Sequence, residues 1–220
     1  MKPISPLVVL PALLLVSLAF AQSGAERVYA VDPAASELHW LTYKAGSLQR
    51  LGHNHVISVG RPDGTVTVNT ADLAKSRFDL TIPVDGLVVD NPELRQGLGP
   101  DFASVPSADD VAGTRKNMLG DKLLQAEKFP SIHVRGTGPF GAAGSQTFKI
   151  TVELVGKSVD LTVPTEVTVD DAGVTAHGAF ELTHSELGLQ PFSVMLGAIQ
   201  VADKMHFSYE IKTKKAAAAP

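Results

Sequence analysis

The chain of 220 residues carries 23 acidic and 19 basic side chains, a formal charge of −4, and its one basic cluster is Lys212, Lys214 and Lys215. That balance argues against a nucleic-acid partner, which needs a concentrated phosphate-neutralising face. With no cysteine in the chain, disulfides, thiol nucleophiles, thiolate zinc sites, iron–sulfur clusters and covalently attached haem are all excluded.

The first element is an address. Lys2 precedes an uncharged apolar run from Leu7 to Phe20, and Ala19-Phe20-Ala21 supplies the small-x-small pattern of a cleavage site. The pattern predicts a signal peptide over 1–21, hence a periplasmic or secreted protein. The other reading, an uncleaved anchor, needs roughly 20 apolar residues, more than this run offers. No later stretch is apolar for long enough to span a bilayer as a helix, so residues 22–220 are expected to form one domain without a membrane span.

From there period-two alternation dominates, the mark of strands with one buried face. It is weak through Leu38 to Trp40 and Thr65 to Val68, and strong where Phe78, Leu80, Ile82 and Val84 share one phase. Residues 91–130 interrupt it with proline, glycine and charge. Ser107 and Asp110 there predict a capping box at a helix start, and Asp121 to Lys128 predict a second short helix. This insertion could cover one mouth of a barrel or be an ordinary surface excursion. Alternation resumes at Ile132 to Val134 and is clearest for Phe148, Ile150, Val152 and Leu154. It continues through Val159 to Val163, Val167 to Val169 and Val174 to Leu182, and ends with Met205, Phe207, Tyr209 and Ile211. The tail 212–220 is expected to be frayed. Eight or nine short strands with turn punctuation predict an all-β fold, an antiparallel barrel or sandwich with a short helical insertion.

Chemistry is harder to find. His53 and His55, in Leu51-Gly-His-Asn-His55, are two apart and share a face if extended, a spacing that can chelate a metal. A third ligand would have to come from elsewhere, and His184 is the best donor. The same imidazoles could equally anchor a turn or form a polar lip on a pocket. His133, His177 and His206 lie in the polar phase of strands, and His39 has the polar phase-mates Glu37 and Tyr43. No phosphate cradle, nucleophile elbow or His-Glu-x-x-His helix is present. The acidic pairs Asp109-Asp110 and Asp170-Asp171 sit where a helix start and a turn favour acids anyway. The chain is therefore read as a binding protein and not an enzyme.

Several segments in one order resemble the YceI-like family of bacterial periplasmic proteins. Tyr29, Asp32, Pro33 and Ser36 match that family's opening motif, and Phe129-Pro130 matches the aromatic-proline pair before a strand. Ile150 to Val159 is similar to its glycine-turn hairpin, and Gly178 to Leu189 to the segment before its last strand. The chain departs from typical members in having His184 where they carry arginine, in Leu51 to His55, and in a longer loop after Asn91. The resemblance implies an extended, lipocalin-like antiparallel barrel whose apolar lumen holds an isoprenoid chain, a quinone tail or a polyprenyl lipid, without a covalent cofactor. It supplies no catalytic residues.

Combining that implication with strand phase, Trp40, Phe78, Leu80, Phe148, Ile150, Phe180 and Phe207 are expected to contact the chain, and His53 and His55 a polar head group. A phase error would turn a whole strand's set outward. The alternative is a metal- or haem-binding redox accessory that uses His53, His55 and His184. A third reading is a solid-cored barrel acting through protein partners. Homodimerisation stays open.

Overall fold

The structure, a computed structural model, describes residues 26–216; the expected signal peptide 1–21 and the last four residues of the tail lie outside them. In chain order the strands are β1 (Glu26–Val31), β2 (Glu37–Ala45), β3 (His55–Val59), β4 (Asp63–Asn69), β5 (Arg77–Pro83) and β6 (Leu87–Val89). Two helices follow, α1 (Pro92–Gln96) and α2 (Ala108–Leu119). The chain then returns to strands with β7 (Ser131–Thr137), β8 (Gln146–Leu154), β9 (Lys157–Val169), β10 (Val174–Thr183), β11 (Ser193–Val194) and β12 (Ile199–Lys215).

Eight of these strands close a ring, in the order β1-β4-β5-β7-β8-β9-β10-β12 and back to β1. All pairings are antiparallel, so the expected lipocalin-like barrel is the observed architecture. The seam is β12. It pairs with β10 from Lys204 to Lys212 on one edge, while its other edge meets β2 over Gln200 to Glu210 and then β1 over Thr213 to Lys215. β3 and β6 continue outward from β2, so at that end the wall takes in extra strands beyond the ring.

Register explains why the alternation was legible. Val66, Phe78, Gly136, Ile150 and Leu161 are direct neighbours across five strands, and the adjacent row is Thr65, Asp79, Arg135, Thr151 and Asp160. The first row is apolar or bare and faces inward. The second is polar throughout, and a slip of one residue would exchange the two. The β8–β9 hairpin turns on Val155 and Gly156, at φ 50° and 70°. Two left-handed residues in succession are what a two-residue turn of this hand needs.

Two expectations are corrected. Asp121 to Lys128 forms successive turns and no helix, because Gln125 takes a left-handed φ of 48°. The Gln125 amide donates back to the Gly120 carbonyl at 3.0 Å, and the fold in the chain buries Leu124. Lys212 to Lys215, expected to fray, is the part of β12 that pairs with β1. The insertion also opens with α1, whose start is capped by Asn91, with its side chain accepting from the amides of Glu93 and Leu94, and by proline at the first turn. The capping box of Ser107 and Asp110 is present as expected at α2. β3 and β6 escaped the alternation test for physical reasons: in β3 Val56 and Ile57 are consecutive and both buried, and in β6 the exposed position is itself apolar, Val88.

Candidate functional site: the barrel lumen

The inward rows enclose a cavity of about 370 Å³. Trp40, Phe207 and Phe180 stand opposite one another on β2, β12 and β10, and their rings stack. Centroids are 5.7 Å apart for Trp40 and Phe207 and 5.3 Å for Phe207 and Phe180, with interplanar angles of 22° and 6°. Phe78, Leu80, Phe148 and Ile150 wall the other side. Space for two of these rings comes from glycine. A Cβ on Gly136 would meet the Phe78 ring at 2.6 Å, and one on Gly138 the Phe148 ring at 2.2 Å. Both distances are far inside van der Waals contact, so these positions tolerate only hydrogen.

Polar groups are few, and most sit towards the ends. At the end nearest the β9–β10 turn, Thr165 and Tyr209 share a hydrogen bond of 2.7 Å. Burial raises the Tyr209 phenol above its ordinary pKa, and the bond to Thr165 offsets part of that. At the other end the wall includes Thr42, His53, His55, Thr114, Asn117, His184 and Gln200. His184 is buried, and its Nδ1 lies 2.9 Å from the Asp203 carbonyl. A carbonyl only accepts, so Nδ1 carries the hydrogen.

The helical insertion belongs to this site. Thr114, Asn117 and Met118 of α2 and Leu123 and Leu124 of the following turns line the lumen. It is a cover for one end, and a buried polar brace holds it there. His55 Nδ1 is 2.6 Å from Asp90 Oδ2, and Arg95 donates to Asp90 Oδ1 at 2.6 Å. The Val56 amide donates to the same oxygen at 3.0 Å. Arg95 reaches further, to the carbonyls of Asn54 at 2.9 Å and Ser104 at 2.5 Å, and lies 5.4 Å from the centre of the Phe102 ring. His55 Nε2 is 3.3 Å from the Thr114 hydroxyl, and His53 Nε2 is 3.6 Å from Asp110. Burial pushes the Asp90 carboxyl up, but His55, the Val56 amide and Arg95 together outweigh it and hold the group below its ordinary pKa.

All nine side chains expected at the ligand, Trp40, Phe78, Leu80, Phe148, Ile150, Phe180, Phe207, His53 and His55, line this one cavity. His53 and His55 have ring centroids 6.2 Å apart, and both ring nitrogens of His55 are engaged by Asp90 and Thr114. Among the described residues no group of three or more His, Cys, Asp or Glu is placed to hold a metal ion. His184 therefore does not complete a ligand set with the pair. His133, His177 and His206 bond to Thr81, Glu166 and Glu181 away from the lumen. Sequence reasoning missed Asp90 and Arg95, and also Leu187, Leu189 and Phe192 before β12 and Ile199 at its start, which line the cavity. The Asn91-Pro92 pair, a helix-start signal, was the available clue to the former.

Comparison with solved structures adds the fold relatives. The Burkholderia cenocepacia BcnA structure matches at TM-score 0.55 and 17% identity, covering 83% of this chain and 98% of that one. A mutant of the Campylobacter jejuni YceI protein matches at TM-score 0.51 and 12% identity, covering 73% and 85%. No curated protein matches the sequence. The model of the YceI-like domain matches residues 29–213, nearly all of the barrel, and the chain belongs to the YceI-like domain family.

Proposed function

We propose that this is an exported binding protein that carries an isoprenoid chain, a quinone tail or a polyprenyl lipid, in its lumen and catalyses no reaction. The observation that carries the reading is the continuous aromatic and aliphatic wall, with most of its polar groups displaced to the two ends. The cavity lies at the lower end of the roughly 300–1,000 Å³ usual for small-molecule sites. Each buried methylene contributes about 0.8 kcal/mol, so an apolar chain gains affinity from the wall without a specific polar contact. His53 and His184 at the covered end then meet a polar head group, with His55 held beside them by Asp90 and Thr114. Isoprenoid, as opposed to straight acyl, is the choice suggested by the family resemblance. Export rests on the leader sequence.

Native mass spectrometry of protein recovered from its own cells, with organic extraction of what dissociates, tests this. A polyprenyl or quinone mass is the expected result. A bare chain that also takes up no ubiquinone analogue would overturn the carrier reading. A metal-sized increment that vanishes in acid would favour the alternative at His53 and His55.

A further inference from the structure

Eight large apolar side chains stand exposed among the described residues, and four of them, Leu51, Val194, Met195 and Leu196, gather at one place. They sit on two loops, 46–52 and 192–198, that are fastened together. The Leu48 amide donates to the Ala198 carbonyl at 2.8 Å, and Gly46 packs so closely that a Cβ there would lie 2.4 Å from the same oxygen. The 192–198 loop holds its tip outward on unusual backbone. Met195, Leu196 and Gly197 follow one another at φ 50°, 56° and 89°, a region that bulky residues seldom occupy. Leu196 is fully exposed and Met195 65% exposed. Side chains held in water on such backbone have no folding gain to explain them.

Position and charge say what meets them. Phe192, Ile199, Gly52 and His53, in or beside these loops, line the lumen, so the exposed tip is the rim of the cavity. Leu38 to Pro62 and Leu187 to Ala202 contain no acidic residue, in a chain whose formal charge is −4. The charged side chains on the rim are Lys44 and Arg50, neither in an ion pair among the described residues. Of the carboxylates around it, Asp110 is held by Ser107 and His53 and Asp203 by Ser185, while Asp101 lies beyond Asn54, which donates to its backbone carbonyl. We propose that this rim docks on the surface of an anionic lipid bilayer, its apolar tip entering the membrane and Lys44 and Arg50 meeting the headgroups, so that the covered end of the lumen faces the bilayer. An apolar tip with adjacent cations is the pattern of interfacial binding. The proposal goes beyond the carrier reading and tells how cargo would pass without crossing water.

The test uses the chain from Gln22 onward, since the closed barrel lies within residues 26–216. It is floated with vesicles of phosphatidylethanolamine and phosphatidylglycerol, and separately with phosphatidylcholine. The unsubstituted chain is expected to float with the anionic vesicles, less so as salt rises. The double variant Met195→Asn, Leu196→Asn, whose new residues tolerate left-handed backbone, should lose at least about tenfold in partition. Arg50→Glu should weaken it as well, and Val105→Ser, exposed elsewhere, should not. Equal melting temperature and equal uptake of N-phenyl-1-naphthylamine from water show that fold and lumen are intact. Equal flotation of the double variant and the parent, no flotation of the parent, or a change confined to self-association in sedimentation would each overturn the proposal. Failure of probe uptake by the parent would instead count against the carrier reading and leave docking standing.

Discussion

Asp90 shows how much a single side chain can determine. Its two oxygens hold the His55 ring, the Val56 amide and the Arg95 guanidinium together, and the carboxylate is almost wholly buried. Asp90→Asn leaves Arg95 buried without its counter-charge, a situation that costs about 3–5 kcal/mol. Urea unfolding should show that loss. The double variant Asp90→Asn, Arg95→Met removes both charges and should recover a large part of it. The histidine pair was conspicuous in the sequence, and its partners were not. Asp90 lies 35 residues after His55, and no local pattern links the two. What looked like a chelating pair is a positioning device for the cover.

At the level of elements, the cover hangs on a few charged and polar contacts. α2 is tied to the wall through Thr114 to His55 and through Asp110 to His53, while Ser107 and Asp110 close its first turn. The carboxyls of Asp90 and Asp110 are both held below their ordinary pKa, Asp110 chiefly by the Ser107 hydroxyl and amide. A depressed carboxyl contributes stability that is present above its unfolded pKa, near about 4, and is lost as pH falls through the lower folded value. Amide protection, taken relative to the intrinsic exchange rate at each pH, should therefore fall in 91–119 before it does in the β7–β10 wall as pH drops below about 4. Asp90→Asn should remove most of that dependence. Legibility at this scale followed local chemistry. The capping box was readable because its partners are three residues apart; the turns of 121–128 were not, because a left-handed Gln125 has no signature in composition. β3 was hidden by burial on both faces, and β6 because all three of its residues are apolar although Val88 is exposed.

For the whole molecule, the strand phases were enough to place every expected wall residue on one cavity, because register couples all rows of the ring at once. The phases could not reveal that the insertion and the 184–199 loop complete that cavity, since those contacts join segments without periodicity. Trp40, the single tryptophan of the chain, stacks in the aromatic ladder and gives the lumen an internal reporter. Titration with a short-chain ubiquinone should quench its emission saturably. Phe180→Ala, which removes one face of the ladder, should weaken the apparent affinity severalfold. An unsaturable, linear quench would mean that the quinone never enters the lumen.

The seam strand carries a consequence for biogenesis. β1 is the first described strand to leave the ribosome and β12 the last, yet each is the other's neighbour in the ring. Closure must therefore wait for nearly the entire domain, and contacts of such long sequence separation form slowly. Until then the inner rows of β4 to β10 have no enclosure, and the growing chain is a half-pipe of apolar side chains open along its length. Such an intermediate is easily kept extended by a holding chaperone and readily aggregates without one. A refolding time course should accordingly show Trp40 burial, which needs β2 seated on β12, as a late event.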